Sequence, residues 1–393
     1  MASRVTPITR ARSFGRAAVV RSANERTAVL LMVPVAMLLI IGLGALMSAS
    51  SVVAIRETGD KLYYFKRQII WVALGLGAFL VAVRVPYRWY GRLAAALLFA
   101  AVAGLVATLF VGSVRGGARR WIDVGPLSLQ VSEFAKFAVV VYLAQALSRK
   151  EAYLHKFGHV FWPVATSLGI VGVLLLAQPD LGTTLLIAAA AFAVLFASAT
   201  PMRHVVSLAA MGGIGAVALA YIQPYRWERV TSFLNPDADP LGSGLQSIQS
   251  LVALGTGSWF GVGLGASRAR WSFLPNAHTD FIYSIIGEET GLAGSMAVVA
   301  LFIMFAYVGT KLAMNAPDRF GRLLAIGIVA WLSAQALVNI GGVVRVLPIT
   351  GVPLPFVSSG GSAMIVNLAV IGVLVNIART PGTAGATARD RRA

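Results

Sequence analysis

Apolar residues gather along this chain into ten runs, at about 27–49, 68–83, 93–113, 132–148, 161–177, 182–199, 205–222, 281–307, 322–344 and 361–377. The runs are long enough to cross roughly 30 Å of hydrocarbon as helices. Their number and spacing predict an all-α polytopic membrane protein with ten transmembrane helices. No segment between them has the size and composition of a separate soluble domain, so one membrane domain is expected at 27–378. Two basic tails, 1–26 and 379–393, flank it and are expected to be disordered. The first run is too long for the apolar core of a cleaved signal, so it reads as an anchor.

Charge sets the orientation. Of 33 Lys and Arg, 20 fall on the side of the N-terminus, while 11 of the 15 acids fall on the other. The excess of cations marks the cytoplasmic face, so both termini are expected inside and the long loop between helices seven and eight outside. A net charge of +18 would suggest nucleic acid in a soluble protein, but here it is topological, and no nucleic-acid partner is expected. The absence of cysteine excludes disulfides and thiol chemistry, and four histidines leave little for a histidine-built metal site, so no metal-ligating set is assigned.

Candidate chemistry lies where polar residues meet the outer ends of the spans. The stretch LPNAHTDFIYSIIGEETGLAG, Leu274 to Gly294, brings His278, Thr279 and Asp280 to the start of span eight and places Glu288 and Glu289 inside it. Ionisable groups at membrane depth cost several kcal/mol unless paired or wetted, so they mark candidate sites. Asp280 reads either as a general base or as the N-cap of the helix. Burial would raise its pKa, while His278 and nearby cations would lower it. Glu288, eight residues on, lies about 12 Å deeper on an ideal helix and is too distant to pair with Asp280 as in sugar hydrolysis; it and Glu289 also read as structural, paired inside the bundle.

Other outer segments add cations and turns. RGGARRWIDVGPLSLQVSEFAK, Arg115 to Lys136, contains helix breakers and is expected as an interfacial re-entrant loop. Arg119 and Arg120 could grip a diphosphate, and Trp121 could cover an acyl chain or a sugar face. Glu133 and Lys136 stand at i and i+3, a spacing that allows a local pair. Asp180 in the QPDLG turn reads as a helix cap or a site carboxylate. Arg268 and Arg270 precede the central stretch, and a glycine-rich apolar piece before them is too broken to span and fits an interfacial amphipathic helix. The last outer loop ends in Ser358, Ser359 and Gly360, where backbone can approach a ligand. Gly42 and Gly44 inside the first span read as helix-packing positions.

LMSASS with FKRQ, GARRWIDVGPLSLQVSEFAK, QPDLG, GVGLGASRARWSFLPNAHTDFIYSIIGEETGL and LPITGVPLPFVSSGGS together resemble the SEDS family, named for shape, elongation, division and sporulation. The resemblance runs from about Leu46 to Arg379 and favours the division branch over the elongation branch. It implies a ten-helix peptidoglycan glycosyltransferase of the bacterial cytoplasmic membrane, at the division septum, polymerising lipid II on the outer face. It also implies a class B penicillin-binding transpeptidase as partner, with other division proteins and membrane lipids. The family's essential acid falls on Asp280, which would deprotonate the acceptor hydroxyl while undecaprenyl pyrophosphate leaves. Arg119, Arg120, Arg268 and Arg270 are candidates for the diphosphates, and a divalent cation (Mg or Mn) could share that task. His278, Thr279, Ser358, Ser359 and Gly360 complete the candidate substrate contacts.

Three positions depart from the pattern. Val131 stands where proline is usual, Asn276 where glutamate is frequent, and Ser359 where tyrosine is common. No carboxylate can act at position 276, and an aromatic contact at 359 is lost. The readings that compete with an enzyme are a lipid II flippase, using Glu288, Glu289 and Arg345 as polar stations, and a non-catalytic scaffold.

Overall fold

The computed structural model describes residues 7–115, 117–125, 127–222, 233, 244–271, 274 and 277–381. Thirteen helices are used below: α1 (Pro7–Thr58), α2 (Tyr63–Arg84), α3 (Arg88–Arg92), α4 (Ala94–Val111), α5 (Val131–Arg149), α6 (Phe157–Val164), α7 (Ile170–Ala177), α8 (Leu181–Ala197), α9 (Met202–Ile222), α10 (Leu245–Gly257), α11 (Ile282–Met314), α12 (Arg319–Val343) and α13 (Gly361–Arg379). Among the described residues, eight helical stretches are long and apolar enough to cross a membrane, counting α6 and α7 as one through the π-helical turn Ala165–Gly169. The helix α8 is apolar but shorter, at 17 residues. The RWERVTSFLNPDADPLG loop, all but one residue of it, and Asn276 lie outside the described residues, as does the C-terminal tail beyond 381.

The expectation of an all-α chain is corrected between α4 and α5. There the chain forms a three-stranded antiparallel sheet, β1 (Ser113–Arg115), β2 (Ala118–Val124) and β3 (Leu127–Gln130), with Trp121 opposite Gln130 and Asp123 opposite Ser128. Glycines at the two reversals, Gly117 with φ 77° and Gly125 with φ 60°, take backbone values that other residues resist. The breakers therefore close hairpins instead of re-entering the bilayer. So small a sheet needs support, and it packs on the ends of α4, α5 and α13.

The last helix is the most enclosed span, with 78% of its apolar stretch buried against 22% for α2 and α4. Without a hydrophobic drive between helices in lipid, close backbone approach holds such a bundle together. A Cβ on Gly75 of α2 would lie 2.7 Å from Leu368, and one on Gly372 would lie 2.6 Å from the Phe79 carbonyl, so α2 and α13 touch nearly backbone to backbone. Gly42 of α1 is a packing position as expected, 2.5 Å from Val357 by the same measure, whereas Gly44 meets nothing. Where the chain leaves α2, the Tyr87 hydroxyl donates to Asp318 at 2.5 Å, and Asp318 caps α12 through the Gly321 N–H. Burial and that carboxylate raise the pKa of the Tyr87 hydroxyl.

The feature that shapes the site is a break in α11 at Gly291, where φ is 70° and ψ is −165°. The expected amphipathic piece is α10, and the loop after it fills the break. Val262 and Gly263 N–H groups donate to the carbonyls of Glu288 and Glu289, while Leu292 and Ala293 N–H groups donate to Ser258 and Trp259. Groups that a continuous helix would have satisfied internally are thereby paired without water. The fit depends on glycine: a Cβ on Gly261 (φ 81°) would lie 2.1 Å from the Glu289 carbonyl, and one on Gly257 2.0 Å from that of Gly287.

This contact makes a graded prediction. Gly261→Ala combines left-handed strain with a backbone collision and should cost about 2–5 kcal/mol. Gly263→Ala, with φ 104° but open space around it, carries the strain alone and should cost about 1–2 kcal/mol. Thermal melts of the purified chain in detergent would check the order; equal losses would refute the interlock.

Candidate active site

Residues 277–280 lead into α11, and three distant segments hold them. Phe281 is the N-cap position of α11 and no side chain caps it, so the cap reading of Asp280 is overturned. Instead Asn339 of α12 donates through Nδ2 to the carbonyls of Asp280 and Val352, both at 2.8 Å. The buried Ser358 hydroxyl donates to the Thr279 carbonyl at 2.5 Å and accepts from the Leu354 N–H at 2.9 Å. The Ser359 N–H donates to the His278 carbonyl at 3.2 Å. Gly351 (φ 71°) lies against the Asp280 carboxylate, where an added Cβ would sit 3.6 Å from Oδ2. The QPDLG turn presses on the same loop, since a Cβ on Gly182 would meet Val352 at 2.5 Å.

Two spaces open here. Asp280 lines a hollow of about 10 Å³ with Val338, Asn339, Ile349 and Thr350, which is room for one water. His278, Thr279, Trp121, Ser359 and Gly360 line a larger cavity of about 160 Å³. Five of the candidate contacts therefore meet, while Ser358 is buried as a brace and does not line it. Tyr64, Arg67, Gln68, Trp71, Ser128 and Gly361 also line the cavity and were not singled out from sequence as contacts. The FKRQ motif was the available signal for Arg67 and Gln68. The Tyr64 ring leans on His278 at 5.0 Å between centroids, and its hydroxyl donates to Glu57.

The family model described as Cell cycle protein, covering FtsW, RodA and SpoVE, matches residues 28–382. The chain belongs to the SEDS family. It is 40% identical to stage V sporulation protein E of Bacillus subtilis over 89% of this chain and 96% of that protein. It is 40% identical to a probable peptidoglycan glycosyltransferase FtsW of Geobacter metallireducens, over 86% of this chain and 90% of that one. Among solved structures it is similar to a chain of a peptidoglycan synthase complex, with 30% identity, TM-score 0.73 and coverage of 89% and 96%. It also resembles Thermus thermophilus RodA, with 28% identity, TM-score 0.67 and coverage of 89% and 96%.

The remaining polar candidates of this SEDS protein lie off the cavity wall. Glu133 and Lys136 form the expected local pair, at 2.8 Å and almost fully buried. Lys136 also donates to Gln335 at 3.0 Å and lies 4.8 Å from the Trp331 ring, and Gln335 donates to the Pro353 carbonyl at 2.8 Å. Asp180 is the N-cap of α8, accepting from the Thr183 N–H at 3.2 Å. Glu288 accepts from the Ser267 hydroxyl at 2.5 Å and from the N–H groups of Arg268 and Ala269, so it fastens the loop before the site. Glu289 accepts from Ser48 of α1. The two glutamates thus have separate partners and do not pair with each other.

The four candidate arginines divide similarly. Arg120 donates to the carbonyls of Gln178 and Pro179 and so braces the QPDLG turn. Arg119 is exposed and reaches the last carbonyls of α4 at 3.4 Å. Arg268 is exposed, and Arg270 lies 5.9 Å from the Trp271 ring. None of the four lines the cavity with His278; Arg67 is the cation that does. Among the described residues no group of three His, Asp or Glu could hold a metal ion.

Two outcomes are expected. Lys136→Met leaves the Glu133 carboxylate buried without its cation and should cost about 3–5 kcal/mol, whereas the double variant with Glu133→Gln should recover part of it. A double-mutant cycle on melting in detergent checks this. Burial lowers the pKa of His278 from 6.5, partly offset by Glu57. The unfolded chain then takes up a proton that the folded one refuses as pH falls through about 6.5, so stability is present above that pH and declines below it. His278→Gln should lose less stability than the parent between about pH 7.5 and 5.5.

Proposed function

We propose that this SEDS protein is a peptidoglycan glycosyltransferase that polymerises lipid II on the outer face of the cytoplasmic membrane, with Asp280 as general base. The observation that carries this reading is the placement of Asp280. Its backbone is tied to α12 by Asn339, its carboxylate faces Gly351, and the residues just before it line a polar and aromatic cavity. A carboxylate held in place beside a sugar-sized opening can take the proton of an acceptor hydroxyl as that oxygen attacks the donor's anomeric carbon. The glycosidic bond forms, the bond to the diphosphate breaks, and undecaprenyl pyrophosphate leaves with inversion. The hollow at Asp280 itself admits one water.

Ten spans with both termini inside, α8 and α9 joining the eight stretches above, is the topology supported by the charge distribution and the apolar character of α8. Residues 1–26 and 379–393 act as basic cytoplasmic tails. A class B penicillin-binding transpeptidase is the partner, a reading supported by likeness to a chain of a peptidoglycan synthase complex. Action at the division septum rests on the resemblance of PNAHTDFIYSIIGEE and ITGVPLPFVSSGG to the division branch. A divalent cation, Mg or Mn, would take its ligands largely from the substrate diphosphate, since the described residues offer no cluster for it. Glu288 and Glu289 are committed to Ser267 and Ser48, which disfavours the flippase reading.

The test is glycan-strand synthesis from labelled lipid II by the purified chain with its transpeptidase partner. Asp280→Asn should lower the rate at least about a hundredfold, the scale of a lost general base, with melting unchanged. Full activity in that variant would remove Asp280 from the chemistry.

A further inference from the structure

We infer that the cavity between α10, α11 and the end of α12 is a binding site for an anionic phospholipid of the outer leaflet, with an acyl chain in the cavity and the lipid phosphate on Arg345. This space shares no lining residue with the cavity at His278, and its assignment does not depend on the glycosyltransferase reading.

The cavity measures about 330 Å³, within the roughly 300–1,000 Å³ of sites that hold small molecules. Leu254, Trp259, Leu292, Met296 and Val344 make most of its wall. The Tyr283 hydroxyl, which also lines it, is already committed to the Ser295 carbonyl at 3.3 Å. Such a lining takes an aliphatic chain and gives little to a polar ligand. Depth agrees with this. Past the break at Gly291, α11 continues to Met314, roughly 34 Å of helix at about 1.5 Å per residue. That is enough to cross the hydrocarbon, so Leu292 and Met296, one turn apart on a single face, lie in its outer leaflet. Phe260 and Leu264, in the loop that follows Trp259, are 86% and 83% exposed, so this edge of the cavity is bordered by apolar surface suited to lipid.

Charge supplies the other half of the site. The helix α12 ends in a Schellman turn, in which the Val346 N–H donates to the Gly341 carbonyl at 2.8 Å and the Arg345 N–H to the Gly342 carbonyl at 3.3 Å. Glycine is the usual occupant of the left-handed position in such a turn, yet here it is Arg345, with φ 59°. A Cβ in that conformation carries a steric cost that glycine would avoid. Arg345 directly follows Val344 of the cavity wall and is half-buried, and among the described residues no hydrogen bond or ion pair engages its guanidinium. The acids of the adjoining segment are engaged elsewhere, Glu288 by residues 267–269 and Glu289 by Ser48. A strained, unpaired cation at the outer end of a span, one residue beyond an apolar cavity, matches a lipid phosphate with its chain below. Tyr283 belongs to the first turn of α11, so a lipid seated here also steadies the segment that begins at Asp280.

The test equilibrates the detergent-purified full chain with phosphatidylglycerol or phosphatidylcholine and measures lipid retention by native mass spectrometry, with melting followed in parallel. The parent should hold phosphatidylglycerol about tenfold more strongly, the scale of one charge-assisted contact. Arg345→Gly should abolish that preference while raising the melting temperature, because glycine relieves the left-handed turn. Arg345→Lys should keep part of the preference. Gly255→Leu probes the chain: a Cβ on Gly255 meets nothing within 4 Å, so the new side chain grows into the cavity that Gly255 lines, and retention of both lipids should fall about tenfold. Equal retention of the two lipids by the parent, or a preference that survives Arg345→Gly, would overturn the site. So would parent-like retention by Gly255→Leu. Displacement of phosphatidylglycerol by undecaprenyl phosphate at equal concentration would give the cavity to a polyprenyl chain instead, and exclusion of the phospholipid by the bound transpeptidase partner would give the surface to that partner; either overturns the assignment. Should Arg345→Gly fail to fold, Arg345→Gln decides by the same loss of preference.

Discussion

Backbone N–H and C=O groups inside a bilayer have no water to turn to, and this fold answers that constraint at one place with unusual economy. The break in α11 at Gly291 is closed by the loop after α10, four hydrogen bonds running in both directions between residues 258–263 and 288–293. Because the strands of backbone meet at glycines, the two segments sit closer than any side chain would permit. The short first part of α11 is thereby fixed, and with it the direction from which Asp280 enters the structure. Glu288 extends the same join, taking three donors from residues 267–269.

Polar side chains elsewhere serve the same end. Asn339, Ser358, Gln335 and Arg120 each reach a backbone carbonyl of a distant loop, so that loops 178–182, 277–280 and 350–361 are sewn into one layer over the spans. Groups this enclosed gain from every partner and lose heavily from a missing one. Several residues that look functional by type are therefore committed to architecture. The cavity before the acid is lined by other residues, among them His278 and Thr279, two indoles, Gln68, Arg67 and the glycine-rich start of α13.

This division of labour separates positioning from chemistry. The buried Glu133–Lys136 pair, joined to Trp331, Gln335 and Pro353, holds α5, α12 and the loop between α12 and α13 in register. The carboxylate of Asp280 lies against Gly351, where an added Cβ would sit 3.6 Å from Oδ2. A small sheet between α4 and α5 carries Trp121 to the cavity and sends Arg120 to the QPDLG turn.

What the sequence determined by itself was whatever depends on local pattern. Apolar runs of membrane length, the Lys and Arg bias, the i, i+3 pair, the cap at Asp180 and the failure of the 245–263 stretch to span are all set by residues near one another in the chain, and motif order sufficed to reveal the family. The tertiary structure decided everything that turns on long-range contact. Glycine breakers close a hairpin or re-enter a membrane depending on what lies beside them, so the sheet at 113–130 was not legible. An arginine binds a ligand or a carbonyl depending on which loop arrives within reach, so Arg120 became a brace and Arg67, one residue of a short motif, became the cation of the cavity. The helix break at Gly291 was hidden for the same reason: a glycine within an apolar run continues a helix unless another backbone comes close enough to take its hydrogen bonds.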